Sequence, residues 1–100
     1  MKKFAAIALV ALPLLSAGAQ ADLPDKEFAC KVQTASLKIG AVLVQAWDVE
    51  SARELAATAE AVRVEDRERE PAQMTLQCVQ YPGGRFPEPE FQAFVESLPR

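Results

Sequence analysis

The chain has no histidine, so the commonest general base and the commonest metal ligand are both missing. Its two cysteines, Cys30 and Cys78, are too few for a closed zinc site, which needs a full tetrahedral ligand set. Glycine is scarce, and Gly83-Gly84 lacks the spacing and the lysine of a phosphate-cradling loop. Past the amino-terminal segment the serines are Ser36, Ser51 and Ser97, none in a nucleophile-elbow pattern. The acidic run Glu65-Asp66-Arg67-Glu68-Arg69-Glu70 alternates in sign and has no glycine turn, so it does not read as a calcium loop. These absences lead to the expectation of a protein that is not an enzyme and holds no metal or cofactor.

Basic residues are also in deficit, 11 against 14 acidic. Two of them, Lys2 and Lys3, open a segment that reads as a secretory signal peptide. Phe4 to Leu15 is an apolar run, and Ala19-Gln20-Ala21 matches a small-residue cleavage pattern, with cleavage expected before Asp22. The run is too short to span a bilayer as a helix. Residues 1–21 are therefore expected to be removed, leaving an acidic product in the periplasm or the extracellular medium. Clustered Lys/Arg, which nucleic acids and anionic membranes demand, is missing from that product. Neither nucleic acid nor membrane is expected as a partner.

What remains is short: a flexible leader over 22–27 and one small domain over 28–100. A domain of this size often needs a covalent staple. Two cysteines in an exported chain most often pair, and a Cys30–Cys78 bridge would close a loop of about 50 residues. An intermolecular disulfide or a redox-active thiol is the rival reading. An intramolecular bridge requires the first and last strands to be neighbours or their ends to meet.

The stretch from Gly40 to Val62 organises the domain. Gly-Ala-Val-Leu-Val-Gln-Ala-Trp alternates as a strand, and at Asp48 the pattern changes to a helical period. Asp48 is a good helix cap, with Glu50 in the first turn. Ala52, Leu55, Ala56 and Ala59 form the helix's apolar stripe. Phe28 to Thr34, Ala61 to Glu65 and Gln73 to Tyr81 alternate as three further strands. Phe91, Phe94, Val95 and Leu98 mark a second helix behind Pro87 and Pro89. The expected fold is α+β: a ββαββα two-layer sandwich, a four-stranded mostly antiparallel sheet with both helices packed on one face. The inward set would be Phe28, Cys30, Val32, Val42, Val44, Leu55, Val62, Val64, Met74, Leu76, Phe91, Phe94, Val95 and Leu98.

On that arrangement Leu43, Trp47, Val79 and Tyr81 point away from the core, onto a sheet face that should be polar. With Arg85 in the turn-rich Tyr81–Pro87 loop they form a candidate partner-binding surface. Cover by the leader or by the Leu37–Ile39 loop is the alternative. No diagnostic family motif is present. The reading is a small exported binding, adaptor or inhibitor-like protein whose partner is another exported protein or itself. A structural homodimer associating through the open sheet face is the alternative, and a small-molecule carrier a weaker one.

Overall fold

The computed structural model describes residues 26–99. The expected signal peptide, its cleavage residues Ala19, Ala21 and Asp22, and most of the leader lie outside the described residues. The elements run β1 (Lys26–Thr34), β2 (Ile39–Ala46), α1 (Val49–Ala56), β3 (Glu60–Arg63), β4 (Arg69–Gln80) and α2 (Pro89–Glu96). The expected order and the α+β class hold, with all four strand pairings antiparallel. The first strand begins at Lys26, so the leader's last two residues belong to it.

β1 lies between β2 and β4. Cys30 stands opposite Val42 on one side and opposite Cys78 on the other. The short β3 pairs with β2 at Gly40 and Ala41 and with β4 at Arg69–Pro71, which closes the sheet into a small ring at one end. Side chains that point into this ring must be small. Val32, Thr34 and Ala61 are fully buried there, with Ala72 nearly so. Gly40 belongs to the same row, because a Cβ on it would stand 3.1 Å from Thr34 Cγ2 and 3.1 Å from the Val62 carbonyl.

α1 covers the inner, concave face. Asp48 caps it as the sequence suggests, accepting the Ser51 N–H at 2.8 Å. Ala52 and Ala56 are wholly buried against Phe28, Cys30, Val32 and Val42. Methyl side chains let this helix approach the curved strands closely. The helix is shorter than its apolar stripe: Ala59 lies beyond its end, partly buried against the same cluster.

α2 does not share that face. Phe91, Phe94 and Val95 pack with Phe86 on Ala29 and Ala41, flanked by Leu43, Val62, Val79 and Tyr81. The second helix therefore lies on the convex side, and the domain has three layers where two were expected. The reason is side-chain size and patterning. Ala29, Ala41 and Leu43 make the outer face of the central strands apolar, and an uncovered apolar face would stay in water. Phe86 and Phe91 meet edge to face at 4.7 Å over this surface. Buried Gln92 ties the approach loop down, accepting the Phe86 N–H at 2.8 Å and donating to Glu96 at 2.9 Å.

Four residues expected inward are exposed instead: Leu55, Val64, Met74 and Leu76. A single irregularity in the β1–β4 register, between Lys31 and Val32, displaces the two on β4. Thr75, not Leu76, stands opposite Val32, and Met74 stands opposite Gln33 on the outer side. Thr75 completes the inner face by donating its hydroxyl to the Arg53 carbonyl of α1 at 2.8 Å. Leu55 sits on the outer flank of α1, where only the alanines reach the sheet.

The expected disulfide is present. Cys30 and Cys78 are bonded within the chain, 48 residues apart in sequence. No helix of the described residues is long and apolar enough to cross a membrane.

Candidate interaction surfaces

The postulated sheet-face surface is not one open patch. Leu43, Val79 and Tyr81 lie under α2 and Phe86 as part of the second hydrophobic cluster. Trp47, at the end of β2, remains 51% exposed. Arg85 is exposed and pairs with Glu96 at 3.4 Å. Among the described residues the cover comes from α2 and Phe86, whose phenylalanines pack on this face, and not from the Leu37–Ile39 loop; the leader around Leu23 lies outside the described residues.

Exposed apolar side chains collect instead at the closed end of the sheet. β1 and β2 are joined by a tight turn, in which Leu37 N–H donates to the Thr34 carbonyl at 2.9 Å and Thr34 N–H to the Lys38 carbonyl at 2.8 Å. The closing position of such a turn requires left-handed backbone, usually glycine. Here it is Leu37, with φ 66° and 68% of its surface exposed. Arg67 also has positive φ, at 61°. Its conformation has a visible purpose: the guanidinium lies over the Phe94 ring and donates to Ser97 at 2.8 Å. Leu37 makes no comparable anchoring contact, being mostly in solvent.

The turn is nonetheless braced from below. Buried Thr34 Oγ1 accepts the Lys38 N–H at 3.1 Å, and Ala35 N–H donates to the Pro71 carbonyl at 3.0 Å. Ser36 hydroxyl donates to Glu70, which also receives Arg63 at 3.3 Å. The Ser36 and Thr34 hydroxyls, then Arg63, hold the Glu70 carboxyl below the usual carboxylate range. Arg63 does the same to Asp66, helped by the Glu68 N–H. Behind Leu37, an outward row of Met74, Gln33, Ile39 and Val64 crosses the sheet, with Met74 48% and Ile39 38% exposed. Val64 joins it by donating its N–H to the Ile39 carbonyl at 3.0 Å. The sequence gives Leu37 as a blurred turn residue. Only a leucine where glycine is the rule, three residues after Thr34 at the end of β1, hints at more.

A second feature lies on the free edge of β2. β3 leaves β2 after Ala41, and beyond that point a cleft of about 250 Å³ opens, lined chiefly by Val42, Leu43, Val44, Val62, Leu98 and Pro99. Glu60 and Arg69, 3.5 Å apart, stand at its wall. Because Ile39 directs its carbonyl to β3, alternation along the strand directs the N–H and C=O of Leu43 and Gln45 to the same, unpaired side.

Among the described residues, the groups whose titration is displaced, Asp48, Arg63, Asp66 and Glu70, are held in their charged forms by caps and turns. Such arrangements fix backbone rather than poise a proton for transfer at neutral pH. Comparison of the chain with protein-family profiles, with curated proteins and with solved structures found no match.

Proposed function

We propose that this chain is an exported, non-enzymatic binding module of adaptor or inhibitor type, acting in the periplasm or the extracellular medium. Its docking element is the β1–β2 tip, with Leu37 leading and Ile39, Val64 and Met74 behind. The partner is another exported protein with an apolar pocket that admits one branched aliphatic side chain. A single observation carries the reading: Leu37 is a large apolar residue held in left-handed backbone and exposed to solvent. That conformation costs a non-glycine residue about 1–2 kcal/mol. Backbone strain of this kind persists where the surroundings impose it and collects at binding sites. A pre-braced tip also binds with less loss of conformational freedom. The disulfide and the apolar amino-terminal run support export.

The test is affinity capture from a periplasmic extract with the tagged exported chain, followed by titration of the captured protein after its purification. Leu37→Gly relieves the strain and deletes the side chain in one step. The expected result is a loss of affinity of about ten-fold or more, with melting temperature unchanged or raised. A partner that binds the glycine variant as tightly as the native chain, or no partner at all, would overturn the reading.

A further inference from the structure

The turn that carries Leu37 is held by two kinds of contact. Some lie within the turn: Thr34 Oγ1 accepts the Lys38 N–H at 3.1 Å, and the Leu37 N–H donates to the Thr34 carbonyl at 2.9 Å. Others tie the turn to the rest of the sheet. The Ala35 N–H donates to the Pro71 carbonyl at 3.0 Å, and the Ser36 hydroxyl donates to Glu70 Oε1, next to it on β4. The Lys38–Glu65 pair at 3.1 Å is exposed on both sides, where ion pairs contribute little. Glu70 differs. Its side chain is only 15% exposed, and the oxygen that accepts Ser36 also receives Arg63 Nη1 at 3.3 Å. A hydrogen bond to a sheltered carboxylate is roughly twice as strong as one between neutral groups.

We infer that Glu70 is the latch of the tip: through Ser36 it holds the turn in the conformation that presents Leu37, and acid that protonates it lets the tip loosen. This rests on the reading of the tip as the docking element. Glu70 acts through another residue and is a positioning residue. Ser36 immediately precedes Leu37, so fixing its hydroxyl fixes the approach to the left-handed position. The neighbouring charges have partners of their own. Arg63 of β3 faces Glu70 and also holds Asp66 of the β3–β4 turn, at 3.0 and 2.6 Å. Asp66 accepts the Glu68 N–H, on that other turn. Lys38 pairs with Glu65, and Arg69 of β4 with Glu60 of β3 at 3.5 Å. Ser36, Thr34 and Arg63 favour the charged carboxyl, so the latch is closed near neutrality and opens as pH falls below the ordinary carboxylate range.

Amide hydrogen exchange on the exported chain alone tests this, read as protection factors at Ala35, Leu37 and Lys38 from about pH 7 to about pH 2. The Cys30 and Val42 amides, in the centre of the β1–β2 pairing, serve as the internal control. Acid is expected to lower tip protection about ten-fold or more while the control amides stay protected. Ser36→Ala, a change at an exposed site, should lower tip protection by a similar factor at neutral pH and flatten its pH dependence. Tip amides that exchange as slowly in Ser36→Ala as in the native chain refute the latch. So does native tip protection that acid leaves unchanged while the control amides stay protected. If acid also bares the control amides, the comparison with Ser36→Ala at neutral pH decides. No partner enters this measurement. A latched chain that captures no partner therefore counts against the docking reading, and a captured partner with an unlatched tip counts against the latch.

Discussion

Cys30 on β1 and Cys78 on β4 are direct register partners, their Cα atoms 4.1 Å apart, so the disulfide crosses between adjacent strands inside the sheet. It closes a loop with a sequence separation of 48 that contains β2, α1 and β3. Replacing both cysteines by alanine is expected to cost about 3–4 kcal/mol, read as a shift in the denaturant midpoint. A change below about 1 kcal/mol would mean that the unfolded chain gains little freedom when the loop opens.

Gly40→Val should be destabilising by about 1–3 kcal/mol. The added branched side chain enters the ring where Thr34 Cγ2, the Val62 carbonyl and Ala61 Cβ all lie within 3.2 Å of the new Cβ. None of these is the free end of a long side chain, so the ring itself must spread. Chemical denaturation of the variant beside the native chain measures it.

Phe91→Ala should cost about 3–5 kcal/mol, because the ring is buried and meets both Phe86 and Phe94. Phe91→Leu should recover much of that loss. The ammonium of Lys31, 5.5 Å from the same ring and 3.5 Å from Glu88, would lose its aromatic neighbour in both variants.

The Glu70 carboxyl titrates below its ordinary range in the folded chain because Ser36, Thr34 and Arg63 favour its charged form. A carboxyl depressed on folding stabilises the fold above its unfolded pKa, and that contribution is lost as pH falls toward the folded pKa. Glu70→Gln should therefore melt lower than the native chain near neutrality. The two melting curves should converge as the pH falls into and below the ordinary carboxylate range. A difference that stays constant over the acid range would assign the effect to packing.

Much of the architecture is legible in the sequence, since period-2 and period-3.6 stretches alternate cleanly around Asp48 and the strands carry their own inward rows. Pairing of the cysteines follows once β1 and β4 are neighbours. The side taken by α2 is not legible, because the central strands are apolar on both faces: Cys30 and Val32 on one, Ala29 and Ala41 on the other. Alternation separates the two sets but cannot say which helix each receives. The bulge that turns Met74 and Leu76 outward leaves no trace in an alternating pattern, as it shifts the phase without changing composition. The Leu37 tip is hidden for a similar reason. Its significance lies in a backbone angle, and leucine in a turn reads only as noise.

Because the helices occupy opposite faces, the molecule has two cores separated by one thickness of sheet, and the disulfide fastens only the inner one. Everything after Gln80 is joined to the rest by packing, hydrogen bonds and ion pairs alone. Opening of residues 82–99, which the disulfide does not reach, is therefore expected to cost less than global unfolding. That opening bares Ala29, Ala41, Leu43, Val79 and Tyr81 together, a sticky surface on an otherwise intact chain. Self-association through that surface would be governed by the free energy of partial opening and not by global stability.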